Sequence, residues 1–146
     1  MLKKILGVVC LVACICAPGM VWGQEIEKFA VAPFEVHGPQ KYQYLQKGIQ
    51  SMLASRLTWE GKLVPQEGQG LQAVQSEADA RSLRQDLGVD YLVWGDLTIA
   101  GEEANVSTYL LGDKGSRTFS RSTPMGELIP VLENLSAQMT DHIFPE

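Results

Sequence analysis

Residues 29–34 read Phe-Ala-Val-Ala-Pro-Phe, an almost unbroken apolar run of the length of a strand. Such a run is typical of a strand that is buried on both faces of a sheet. Pro33 has no backbone N–H to donate, so we expect the strand to leave its hydrogen-bonded ladder there. The stretch therefore predicts an inner strand of a sheet that is packed by helices.

The chain then turns at Gly38 and continues with apolar residues at helical spacing, which predicts a helix over residues 41–58. Its apolar stripe consists of Leu45, Ile49, Met52, Leu53 and Leu57. Gly48 lies inside this helix at a cost of about 1 kcal/mol relative to alanine. We expect this glycine to let the helix approach the sheet closely.

A short strand over residues 62–64 and a Gln- and Gly-rich loop over residues 65–75 follow this helix. Ser76 and Asp79 are typical of a helix start, and Gly88 is typical of a helix end. These signals predict a second helix between them, with Ala80, Leu83 and Leu87 on its apolar side.

The second half of the chain predicts strands that are joined by tight turns. Residues 91–100 and 106–110 have strand-like patterns, with turns at 101–103 and 112–115 and a further strand over 117–121. A last helix ends before Pro145 and carries the stripe Leu128, Val131, Leu132, Leu135, Met139 and Ile143. The predicted order is β-α-β-α-β-β-β-α, a single α/β (α+β mixed) domain with a mixed twisted sheet packed by helices.

The N-terminus resembles a bacterial secretory signal. Lys3 and Lys4 precede an uncharged apolar stretch, and Val21 and Gly23 supply the small residues that a signal peptidase requires. We therefore predict a signal peptide over residues 1–23 and a mature domain over residues 24–146 that is exported to the periplasm.

Residues 11–14, Leu-Val-Ala-Cys, also fit a lipobox, in which Cys14 would be acylated and become the mature N-terminus. Residues 15–22 are mostly apolar, whereas lipoproteins usually turn polar after the modified cysteine, so cleavage after Gly23 is the preferred prediction. The alternative is an outer-membrane lipoprotein. All three cysteines lie within the first 16 residues, so the mature domain would contain none.

The formal net charge of the chain is −5, and loss of Lys3 and Lys4 with the signal would make it more negative. An acidic surface without a basic cluster repels nucleic acid and anionic lipid. We therefore expect no nucleic-acid partner, and contact with a membrane only through the signal peptide or a lipid anchor.

The sequence offers little catalytic or metal-binding chemistry. Its two histidines, His37 and His142, are far apart in sequence, and nucleophile-elbow, phosphate-loop and dinucleotide patterns are absent. Gly68 and Gly70 lie in a glycine-rich loop, but this loop does not lead directly from a strand into a helix as a phosphate-binding loop does. We predict no catalytic residue, no metal site, no cofactor and no enzymatic activity.

Four motifs in order resemble TolB-like N-terminal domains: residues 29–35, 44–49, 87–97 and 110–115. Related domains occur in curli-secretion lipoproteins, a flagellar accessory protein and lipoproteins that activate penicillin-binding proteins. The resemblance implies a non-enzymatic protein-interaction module of the cell envelope. TolB-like domains commonly precede a second domain, often a β-propeller. This sequence stops after the last predicted helix, so the resemblance carries over no propeller function.

The leading hypothesis is a periplasmic scaffold or adaptor that docks onto an envelope protein complex. The alternatives are an outer-membrane lipoprotein that regulates a cell-wall or secretion machine, and a small-ligand binder or enzyme at one end of the sheet. We predict that a partner docks either at the loop end of the sheet, near His37 and Gly38, or at a sheet edge. The last strand of a meander has a free edge, and its candidate partner residues are Arg117, Phe119 and Arg121. The two arginines discourage self-pairing and favour an acidic partner segment. The three helix stripes are needed to cover the sheet, so we expect little apolar helix surface to be left over for a partner.

Overall fold

A computed structural model of the 146-residue chain describes residues 26–66 and 71–145. These residues form nine regular elements and two 3-10 turns, Gln40–Tyr42 and Met125–Glu127. The strands are β1 (Glu27–Val31), β2 (Glu35–His37), β3 (Leu63–Pro65), β4 (Tyr91–Ala100), β5 (Glu103–Gly112) and β6 (Gly115–Pro124). The helices are α1 (Leu45–Leu57), α2 (Glu77–Leu87) and α3 (Leu128–Ile143).

The strands form one six-stranded mixed sheet, and the predicted fold class is confirmed. The strand order is β3-β1-β4-β5-β6, and β2 also pairs with β4. The pairs β1–β3, β1–β4 and β2–β4 are parallel, whereas β4–β5 and β5–β6 are antiparallel. The predicted order of elements is present with one addition, the three-residue strand β2, which is too short to show a periodic pattern in the sequence.

Pro33 divides the first strand, as its missing N–H predicted. β1 pairs with residues 91–93 of β4, and β2 pairs further along the same strand with residues 96–98. The Ala32 N–H donates to the Val93 carbonyl oxygen at 2.8 Å, and the ladder then stops until Glu35. The segment therefore behaves as one strand with a gap at the proline.

Helices cover the two faces of the sheet unequally. We call the side that packs against α1 and α3 the α3 face and the other side the α2 face. The core of the α3 face contains Phe29, Phe34, Leu53, Leu97, Leu132, Leu135 and Met139, each at most 1% exposed. A smaller cluster lies under α2, around Ala80, Leu92, Trp94 and Leu111. The rest of the α2 face is polar.

The predicted ends of α2 are confirmed, whereas the predicted start of α1 is not. Ser76 caps α2 by accepting a hydrogen bond from the Asp79 N–H at 3.2 Å, and Gly88 follows its last turn with a φ of 65°, as predicted. The first helix begins at Leu45 and not at residue 41, because a 3-10 turn follows Pro39.

The role predicted for Gly48 is wrong. Gly48 lies on the exposed side of α1, and a Cβ placed there would meet no atom within 4 Å. The sheet lies on the opposite side of the helix, where Ile49, Leu53 and Leu57 are buried. The glycine therefore does not permit any close approach between helix and sheet.

Candidate functional site: the edge of β6

β6 is the last strand of the sheet, and within the described part of the chain it pairs only with β5. It is ten residues long, so its outer side presents a long row of backbone groups without a strand partner. The opposite end of the sheet differs, because β3 has three residues and folds back on Trp59. The long free edge therefore belongs to β6.

The residues whose backbone groups point outward follow from the turn between β5 and β6. Gly112 and Gly115 flank a two-residue turn and form the first hydrogen-bonded pair, so every second pair after it is hydrogen-bonded as well. The same alternation continues past the strand end, where the Met125 N–H donates to the Glu102 carbonyl oxygen at 2.8 Å. The groups that point away from β5 therefore belong to Ser116, Thr118, Ser120 and Ser122.

The side chains of these outward residues lie on the polar α2 face. The Ser120 hydroxyl donates to the Ser107 hydroxyl at 3.2 Å, and the Ser122 hydroxyl donates to Asn105 Oδ1. These bonds hold β6 against β5 with small polar side chains that leave the outer backbone accessible. A second chain can therefore approach the edge without meeting a bulky side chain on this face.

The three residues predicted from the sequence to form the partner edge point to the α3 face. Phe119 is only 9% exposed and belongs to the core, whereas Arg117 and Arg121 are exposed on either side of it. Arg117 Nη1 lies 3.5 Å from His142 Nδ1, and Arg121 Nη2 donates to Asn134 Oδ1 at 3.4 Å. The structure thus places both arginines on the α3 face of β6, each beside a residue of α3. Binding of a partner there stays a prediction.

Arg117 and Arg121 also differ from the other arginines in the ion pairs that they form. Arg56 pairs with Glu133 at 2.5 Å, Arg81 pairs with Glu77 at 3.3 Å, and Arg84 pairs with Asp113. Within residues 26–66 and 71–145, no carboxylate oxygen lies within 4.0 Å of the guanidinium groups of Arg117 and Arg121. They form a positive strip on an acidic protein, and this strip is available to an anionic group.

A groove of about 410 Å³ lies between β6 and the first half of α3. Its lining residues are Arg121, Glu127, Pro130, Val131 and Asn134. Val131 belongs to the apolar stripe of α3, which the sequence analysis expected to pack against the sheet. Val131 is only half-buried and faces this groove. Val131 also packs in part against the core of the α3 face, so a small part of this stripe is left uncovered by the sheet. Sequence reasoning missed the groove because Val131 shares the periodicity of its buried neighbours.

A second, larger cleft of about 590 Å³ lies beside the β5–β6 turn and the end of α3. Four carboxylates line it, those of Glu27, Asp90, Asp113 and Asp141, together with Tyr91, Lys114 and His142. Burial raises the pKa of Tyr91 to about 12, and the carboxylates of Glu27, Asp113 and Asp90 add to the rise. The cleft is acidic and open, and the described residues include no cluster of His, Cys, Asp or Glu arranged to hold a metal ion.

The two histidines lie at separate places. His37 ends β2, with its Nε2 atom 3.7 Å from Glu35 Oε2, and His142 lies in the last turn of α3. Burial raises the pKa of the Asp96 carboxyl beside β2; the nearby His37 opposes this rise and Glu35 adds to it. The predicted signal peptide, Cys14 and the Gly68-Gln69-Gly70 loop lie outside the described residues.

Over residues 26–66 and 71–145, every helix is too short or too polar to span a bilayer.

Comparison with known proteins gives matches only among solved structures. No family model and no curated protein matches this sequence. The C-terminal domain of LpoB from Salmonella enterica has a TM-score of 0.51 and 12% identity, and the match covers 77% of this chain and 91% of that one. The lipoprotein GNA1162 from Neisseria meningitidis has a TM-score of 0.51 and 16% identity, with coverages of 76% and 96%.

TolB from Acinetobacter baumannii has a TM-score of 0.49 and 15% identity, and the match covers 84% of this chain and 28% of TolB. The chain thus spans less than a third of the TolB structure. The likeness to the LpoB domain and to GNA1162 shows a shared fold. This is the fold that the motifs resembling TolB-like domains and their relatives implied.

Proposed function

We propose that this chain is an exported, non-catalytic protein-interaction domain, a scaffold or adaptor of the bacterial cell envelope. Its partner binds by adding an extended segment to the free edge of β6. The observation that carries this proposal is the ten-residue edge strand, whose outer backbone groups lack a strand partner in the described chain. The secretory pattern of residues 1–23 supports export.

A second candidate is an outer-membrane lipoprotein anchored through Cys14, and two observations favour it. Residues 11–14 fit a lipobox, and GNA1162, whose fold this chain shares, is a lipoprotein. Both candidates use the same edge of β6 and differ in how the domain is held in the envelope.

The test of edge docking is Ser120→Pro, which removes one outward N–H and leaves the ladder to β5 intact. We expect the variant to fold and to lose partner capture in crosslinking pull-downs from the native envelope, because an added strand then lacks a donor at the centre of the edge. Phe119 is less suitable, because proline there would break the ladder to β5 and remove a core side chain.

Ser120→Ala is the matched control, because it removes the same hydroxyl and retains the backbone N–H. We expect it to capture the partner like the wild-type protein, and melting temperatures show that both variants are folded. If a folded Ser120→Pro variant captures the partner as well as Ser120→Ala does, docking at β6 is wrong.

A further inference from the structure

We infer that the groove between β6 and α3 selects the partner segment through the side chains that this segment carries. The segment it fits is extended and carries a carboxylate and an apolar side chain two residues apart. This inference rests on strand addition at β6, as proposed above. It adds the chemistry of the partner and the residues on α3 that recognise it.

The positions follow from the geometry of an added strand. Alternate side chains of such a strand point to the α3 face, beside Arg117, Phe119 and Arg121. A side chain opposite Arg121 lies at the groove, where Pro130 and Val131 provide apolar contacts. A side chain opposite Phe119 lies diagonally between the two arginines, within reach of both guanidinium groups.

The charges around the groove decide where the partner's carboxylate and its apolar side chain bind. Among the described side chains, the Arg117 guanidinium lies within hydrogen-bond distance only of the His142 ring, and that of Arg121 only of Asn134. A partner carboxylate therefore gains charge-assisted hydrogen bonds. Arg121 and Glu127 both line the groove, so a carboxylate placed there is attracted by one charge and repelled by the other, whereas between the arginines it meets two positive charges. The carboxylate therefore belongs between the arginines and the apolar side chain belongs in the groove.

A second copy of this chain is a poor occupant of the same edge. If two β6 strands paired antiparallel around Phe119, each Arg117 would lie opposite an Arg121 of the other copy. Like charges directly opposite each other destabilise a strand pair. The acidic character of the occupant therefore points to a different chain.

The probe is a fluorescein-labelled peptide, Thr-Glu-Thr-Val-Thr-Glu-Thr, whose symmetric sequence presents the same side chains in either strand direction. Two control peptides replace both Glu by Lys, or Val by Ser. Binding to the purified protein is measured by fluorescence anisotropy. We expect the Glu-Val peptide to bind about tenfold more tightly than the Lys peptide, and the preference to reverse in the Arg117→Glu/Arg121→Glu variant.

Each protein variant has a matched control. Lys41→Glu/Lys47→Glu makes the same change of net charge on exposed residues before and within α1, and we expect it to leave the charge preference unchanged. Val131→Asp places a charge in the groove, whereas Ile129→Asp introduces the same charged residue at a 51% exposed position outside the groove lining. Asn134→Asp is nearly isosteric and supplies Arg121 with an internal carboxylate, so it tests the groove without a risk to folding.

The outcomes separate this inference from edge docking. Two results support the groove inference. The peptide with Ser in place of Val binds more weakly than the Glu-Val peptide, and the Glu-Val peptide binds more weakly to Val131→Asp and Asn134→Asp than to Ile129→Asp. If Ser120→Pro is the only variant that weakens binding of the Glu-Val peptide, edge docking stands and the groove inference is overturned. If Ser120→Pro has no effect, strand addition itself is wrong. Equal binding of the Glu and Lys peptides, or no binding of the Glu-Val peptide, also overturns the inference.

Discussion

Gly95 and Gly48 are both glycines inside regular elements, but their surroundings differ. A Cβ at Gly95 in β4 would overlap the Ser107 carbonyl oxygen and lie 2.8 Å from Cε2 of the buried Phe34 ring. A Cβ at Gly48 would meet no atom within 4 Å. Close packing above β4 therefore requires a glycine at position 95, whereas position 48 only bears the conformational cost of a glycine in a helix.

We expect Gly95→Ala to lower the free energy of unfolding by about 3 kcal/mol, because the sheet or Phe34 must move to admit the methyl group. Gly48→Ala should raise it by about 1 kcal/mol through helix propensity alone. Urea unfolding followed by circular dichroism measures both. A Gly95→Ala variant as stable as the wild type would show that the neighbouring strand yields easily and that the close approach is not required.

At the scale of elements, polar contacts connect α2 to the turn between β5 and β6. The Glu77 carboxylate accepts a hydrogen bond from the Ser116 hydroxyl at 2.8 Å and pairs with Arg81. Arg84 pairs with Asp113 in the turn, and its Nε donates to the Asp90 carbonyl oxygen at 2.9 Å. The start of β6 is therefore held by α2 on one face, and its remaining residues are left for a partner.

This connection predicts a change in the acid titration of Glu77. The Ser116 hydroxyl, followed by the charge of Arg81, holds the pKa of Glu77 below its ordinary value. We expect Ser116→Ala to raise the pKa of Glu77, followed by carbon-detected NMR during a pH titration. Lys114→Ala is the neighbouring control, because Lys114 neither bonds to Glu77 nor contributes to its shift, and we expect it to leave this pKa closer to that of the wild-type protein.

The sign of the linked stability follows from the depressed pKa. The contribution of Glu77 is present above the pKa of the unfolded chain and is lost as the pH falls through the pKa of the folded state. Ser116→Ala should therefore reduce the loss of stability on acidification. An unchanged pKa of Glu77 in Ser116→Ala would mean that the hydroxyl does not bond to the carboxylate in solution.

At the scale of the whole molecule, export and anchoring decide where the domain works. We expect the mature protein to begin at Gln24 and to be recovered from soluble periplasmic extract, because the apolar stretch continues past Cys14 to a small-residue exit at Gly23. Intact-mass spectrometry of protein from the native host measures this directly. A diacylglyceryl adduct on Cys14 would instead establish the lipoprotein alternative.

The amino-acid sequence by itself determined the order of the elements, with the exception of the short strand β2. Alternation with a period of two and stripes with a period of 3.6 are local signals, as are the Ser76 cap and the break at Pro33. The position of Arg117, Phe119 and Arg121 on an edge strand was also predictable, because the last strand of a meander pairs on one side only. These features depend on residues that are close together along the chain.

Only the tertiary structure decided how those elements meet. The pairing of both β1 and β2 with β4, the exposed side of Gly48 and the groove beside Val131 depend on contacts between residues distant in sequence. A periodic pattern shows that one side of a helix is apolar, but it does not show how far the neighbouring strand extends over that side. The groove exists because β6 is the last strand, so α3 reaches the edge of the sheet and Val131 is left half-covered.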